Sequence, residues 1–228
     1  MALIVILLLG VLALAYLPQL WVQRVIAQHS VERPDFKGNG GEFARFLLNR
    51  LKLDHVSVEE TDKGDHYDPE AKAVRLLPQH YSGRSLSAVV IAAHEVGHAI
   101  QDARGYKPLK ARTRLAVQAE QIQKVGFVIL LAVPVVMLVF RSPAAIFLEI
   151  AAGLIILGLT VLMHVFTLPV EFDASFARAM PLLKEGRLLP EKDIPAARKI
   201  LTAAALTYVA AAALSLLDVM RWFRVLRF

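Results

Sequence analysis

Cysteine is absent from all 228 residues, which excludes disulfide staples and thiolate metal ligands and leaves any zinc to histidine and carboxylate. No nucleic-acid-binding motif accompanies the net charge of +6. The basic residues cluster beside apolar stretches, so the expected partner is a lipid bilayer and no nucleic acid. No basic residue precedes the first apolar run, Ala2 to Leu17. Although Ala13-Leu14-Ala15 resembles a signal-peptide cleavage site, the run therefore reads as an uncleaved anchor with Trp21 and Arg24 at the interface.

What is abundant is apolar surface, at 56% hydrophobic residues and a mean hydropathy of +0.50. The excess collects into Ala2 to Leu17, Val125 to Phe140, Ala144 to Val170 and Ile200 to Leu217, each near the length of about 20 residues that spans a bilayer. The pattern predicts a mostly α membrane protein with about four transmembrane helices and an α+β catalytic domain containing a short β-hairpin. The expected units are an anchor at 1–23, the catalytic domain at 24–124, a transmembrane hairpin at 125–170, a helix and loop at 171–199, and a membrane helix at 200–228. Basic residues flanking the catalytic segment outnumber those on the other face, so the expectation is an integral multi-pass protein of a bacterial plasma membrane with its site on the cytoplasmic side.

Within the polar segment, Glu42 to Leu53 reads as an amphipathic helix with Phe43, Phe46, Leu47 and Leu51 inward. Val56-Ser57-Val58 and Ala73 to Leu76 read as strands flanking the turn-rich Asp62 to Pro69. From Leu86 to Ala103 there is no proline and one glycine, with Ser85 as N-cap and Gly105 and Pro108 as stop signals. Ala88 to Ala93 is apolar on every face, so this helix is expected to be buried.

That helix carries His94-Glu95-Val96-Gly97-His98. Two imidazoles four residues apart project from one face and suit a single tetrahedral zinc, while Glu95 sits beside them as the general base of a metal-assisted hydrolysis. The implied chemistry is cleavage of peptide bonds by metal-activated water in a protein or peptide substrate.

A catalytic zinc usually takes three protein ligands, so a third must come from elsewhere. The metzincin pattern fails, because the positions that need Gly and His hold Gln101 and Arg104. Asp102 lies one further turn along, and Glu120 falls at a thermolysin-like distance in a helix expected over Ala111 to Lys124. Glu171 is the strongest candidate: the two apolar segments between it and His98 are expected to form a hairpin across the membrane, and an even number of crossings returns the chain to the same side. Further candidates to orient a ligand or to donate to an oxyanion are Asp173, His164, which shares the Glu171 face if the helix runs on past Pro169, and His66 and Tyr67. Arg178 is another site-facing candidate.

The stretches Asp65 to Pro69, Tyr81 to Ser85, His94 to Gln101, Leu168 to Ser175 and Ala203 to Ala211 together resemble the YugP-like family of neutral zinc metallopeptidases of bacterial membranes. More distantly the chain is similar to the HtpX-like and CAAX-prenyl-protease zincins, whose third ligand is a Glu in a downstream Glu-Phe-x-Ala-Asp-type motif. Here that motif reads Glu171-Phe172-Asp173-Ala174-Ser175, with Ser175 where the pattern closes on Asp. The resemblance implies a zincin-like catalytic domain, a Zn2+ cofactor held by His94, His98 and Glu171, and Glu95 as catalytic base. The competing class is a non-enzymatic membrane scaffold or chaperone-like protein with a structural zinc site, and a transporter is a third.

Overall fold

A computed structural model describes residues 2–140, 143–186, 188–207 and 209. Helix α1 (Ala2–Gln28) leads into α2 (Gly40–Arg50), which starts on a capping box: the Asn39 side chain accepts from the Glu42 N–H while the Glu42 carboxylate accepts from the Asn39 N–H. Two otherwise orphaned donors at the helix start are thereby satisfied. Leu47 and Leu48 of α2 are fully buried, whereas Phe46 stays exposed.

Strands β1 (Ser57–Glu60), β2 (His66–Asp68) and β3 (Ala73–Leu76) form a sheet in the order β1-β3-β2. The first and third strands do lie side by side, but they run parallel, with Ser57 opposite Ala73. The hairpin partner of β3 is β2, drawn from the stretch expected to be all turn, with Tyr67 opposite Val74. On the central strand Arg75 reaches both neighbours, Glu59 at 2.9 Å and Asp68 at 2.6 Å, which pins the register from both sides.

A short helix, α3 (Pro78–Tyr81), precedes α4 (Leu86–Ala103), where Ser85 caps the first turn by accepting from the Ala88 N–H. Every residue of α4 from Leu86 to Gln101 is buried, because α2, the sheet and the returning C-terminal elements surround it. Helix α5 (Lys107–Phe140) and α6 (Pro143–Phe172) pack against each other and bring the chain back to α4. A π-helical turn at Asp173–Ala179, α7 (Met180–Glu185), a 3-10 turn at Glu191–Asp193 and α8 (194–207) complete the core. The core joins Leu47, Val74, Leu76, Val90, Val96, Leu183, Ile200 and Leu201.

Against the expectation of four transmembrane helices, among the described residues no helix is long and apolar enough to cross a membrane. The expected placement as an integral multi-pass membrane protein with a cytoplasm-facing site is overturned with them. Val125 to Phe140 is 16 residues, about 24 Å of helix against a hydrocarbon core of about 30 Å. The turns of α5 before it carry Lys107, Lys110, Arg112, Arg114, Glu120 and Lys124. Ile200, Leu201, Ala203 and Ala205 of the expected last span line the protein interior instead, whereas Leu17, Val125, Val128 and Phe147 of the other runs are exposed. The remainder of the expected last span lies outside the described residues.

Candidate metal centre

The spacing of His94 and His98 on α4 sets their rings on one face, with centroids 4.8 Å apart and planes at 80°. Glu171, at the end of α6, arrives from the opposite side. Its Oε2 lies 3.2 Å from His94 Nε2 and 3.2 Å from His98 Nε2. All three side chains are buried, at 4%, 5% and 2% exposure, and together they form a group that could hold a metal ion.

The donor set suits zinc in kind and in size. Two imidazole nitrogens and a carboxylate oxygen are ordinary zinc ligands, and bonds of about 2.0–2.1 Å at tetrahedral angles place donors about 3.3 Å apart. The 3.2 Å separations match that edge. Three protein donors leave a fourth position open, as in hydrolytic rather than structural zinc sites.

The partners of the outer ring nitrogens are equally defined. Ser175 Oγ lies 3.0 Å from His94 Nδ1 and donates its own hydrogen to the Leu201 carbonyl at 3.3 Å, so it is placed to accept from His94 Nδ1–H. Gln101 Oε1 lies 3.0 Å from His98 Nδ1. With a metal bound, these partners would keep the proton on each Nδ1 and free both Nε2 atoms to ligate.

Electrostatics separate the two carboxylates. Burial raises the Glu95 carboxyl to about 8, Asp65 and Glu171 add to the rise, and His94 and Arg112 oppose it. Burial also pushes Glu171 upward, but the His98 charge and hydrogen bonds from both histidines outweigh it and hold Glu171 well below the usual carboxylate range. One group is a ready anion and the other a proton carrier near neutrality.

These residues open onto a cavity of about 450 Å³ walled by α1 through Gln19, Val22, Gln23 and Ile26, by Gly64 to Tyr67 around β2, and by Arg112 of α5. His66 lines it with Nδ1 2.8 Å from the Gly64 carbonyl. Tyr67 also borders it, but its hydroxyl is committed to Asp102 at 2.7 Å. Asp102 further receives Lys72 at 2.6 Å, and exposed Glu120 pairs with Lys124 at 2.7 Å, so neither alternative third ligand joins the centre. Asp173 reaches no ring; it accepts from Gln101 at 2.8 Å and from Arg178 at 3.1 Å, which turns Arg178 away from the cavity. The side chain of His164 lies outside those described.

Three participants went unread in the sequence: Gln101, Ser175 and Arg112. Gln101 entered there only as a mismatch to another motif, and Ser175 only as a departure from an Asp. Arg112 is the single Lys or Arg among the described lining residues, and no local pattern marked it.

A buried group of two histidines and one carboxylate, on a helix bearing a neighbouring glutamate, is the kind of donor set that zinc hydrolases use. The family described as "Putative neutral zinc metallopeptidase" matches residues 4–227. The "Putative membrane protease YugP" of Bacillus subtilis (strain 168) is 34% identical over 222 residues, covering 95% of this chain and 93% of the relative. The chain belongs to this YugP-like family of zinc metallopeptidases, and its cofactor is zinc. No solved structure matches it.

Proposed function

We propose that the protein is a zinc-dependent endopeptidase in which His94, His98 and Glu171 hold the ion and Glu95 is the general base. The observation carrying this reading is the convergence of three buried donor atoms, all within 4.8 Å of one another, beside a cavity. Zinc, when bound, polarises a carbonyl and makes water acidic enough to attack at neutral pH. Glu95 takes the proton of the attacking water and delivers it to the amine of the departing peptide, a shuttle suited to a carboxyl whose affinity for protons is raised by burial. Arg112 and His66, both on the cavity wall, are placed to donate to the carbonyl oxygen of the substrate as charge builds on it. Helix α1 and the β2 edge exclude bulk water from the bond being cut, and no acyl-enzyme is formed.

The test is Glu95→Gln in the full chain, assayed against an unfolded protein substrate. It should keep one zinc per chain and lose cleavage by about 10²–10⁴-fold. Undiminished cleavage would remove Glu95 from the mechanism. A purely structural zinc has no use for the open position and the cavity, and predicts that wild type and variant are equally inert.

A further inference from the structure

Gln101 sits on α4 one turn beyond His98 and is completely buried. Its amide makes three contacts: Oε1 to His98 Nδ1 at 3.0 Å, and Nε2 to the Val170 carbonyl and to Asp173 Oδ2, both at 2.8 Å. A carbonyl and a carboxylate oxygen can only accept, so the NH2 end must face them and the oxygen must face the ring. Arg178 donates to the same Asp173 oxygen at 3.1 Å, which reinforces its role as acceptor. The orientation of the amide therefore dictates that His98 carries its proton on Nδ1.

Val170 and Asp173 flank Glu171 by one and two residues. The same side chain that sets the ring of one donor thus grips the backbone on one side of the carboxylate donor and a side chain on the other. We propose that Gln101 is a positioning residue that fixes the His98 tautomer and holds the Glu171 segment at ligating distance, preassembling the zinc site before the ion arrives. An amide is the one ordinary side chain of this length that accepts at one atom and donates twice at another. Methionine fills a similar volume without these bonds, and glutamate keeps the acceptor while losing both donors. The inference rests on reading His94, His98 and Glu171 as the ligands.

The experiment uses the full chain stripped of zinc, its zinc dissociation constant measured by chelator competition, and the ¹⁵N spectrum of labelled histidine. Wild-type His98 should show a protonated Nδ1 in the absence of zinc. Gln101→Met should weaken zinc binding by about 10–100-fold and release Nδ1 to a mixture of states. Gln101→Glu should weaken zinc similarly while leaving Nδ1 protonated, because the ring keeps its acceptor. An unprotonated Nδ1 in the wild type overturns the proposal without any variant, and so does Gln101→Met with wild-type affinity and an unchanged spectrum. His98→Ala separates the two levels: if it binds zinc as tightly as wild type, the ligand reading itself fails. If it loses zinc while Gln101→Met does not, only the role of Gln101 falls.

Discussion

The Ala174 carbonyl oxygen occupies the space beside Gly97 so closely that a Cβ added there would lie 2.6 Å from it. Gly97 is the fourth residue of the His-Glu-Val-Gly-His run, and Ala174 is three residues past Glu171. The absence of a side chain between the histidines is thus what lets the carboxylate-bearing segment close on α4. Gly97→Ala forces the two backbones apart, at a cost of about 1–3 kcal/mol for overpacking. Thermal unfolding should show a lower midpoint, and chelator competition a weaker hold on zinc. A variant with unchanged affinity would mean that the approach does not set the site.

Ser175→Ala removes the acceptor for His94 Nδ1–H and leaves a buried donor unpaired, a penalty of about 1–3 kcal/mol. Zinc affinity should fall, by about 10–100-fold as for other lost partners of ligating histidines. Ser175→Thr, which keeps the hydroxyl, should retain more of it; equal losses would point to crowding rather than to the hydrogen bond.

Removal of zinc should lower the unfolding temperature, since an ion that binds only the folded chain stabilises it by about 2.7 kcal/mol at a free concentration a hundred times its dissociation constant. Glu171→Gln should unfold at nearly the same temperature with and without added zinc. Calorimetry in the presence of a chelator and then of excess zinc reads both.

In zinc-free protein the raised Glu95 carboxyl gives a pH dependence of definite sign. Its folded value of about 8 exceeds the ordinary 4.5, so its contribution to stability is fully present below about 4.5 and lost as pH rises through about 8. Glu171 works the other way, since it is held below its ordinary value, and its contribution is lost on acidification. Melting temperatures across that window should decline toward alkaline pH in the zinc-free wild type and decline less in Glu95→Gln. Zinc should lessen the decline by favouring the carboxylate.

Local chemistry was legible and long-range packing was not. The span of α4, its Ser85 cap and the shared face of His94 and His98 follow from spacing within one helix. The membrane hairpin expected to return Glu171 to α4 is not found among the described residues; α5 and α6 bring it back by packing on each other. The contacts of Gln101 and Ser175 cross between segments about 70 to 80 residues apart and leave no periodic trace. Strand β2 was hidden in a turn-rich composition because three residues are too few to show alternation. The apolar runs misled: among the described residues no helix is long and apolar enough to cross a membrane, although Leu17, Val125, Val128 and Phe147 of those runs are exposed.

The ring of His98 and the carboxylate of Glu171 are 73 residues apart in the chain. During synthesis, at about 5–20 residues per second, several seconds pass between the two leaving the peptidyl-transferase centre. On the proposed ligand set, a nascent chain carries both imidazoles before the third donor exists, and the zinc site can close only after the returning helix has been made and docked. Under that assignment, any hydrolysis waits until the chain that would be its nearest substrate has folded.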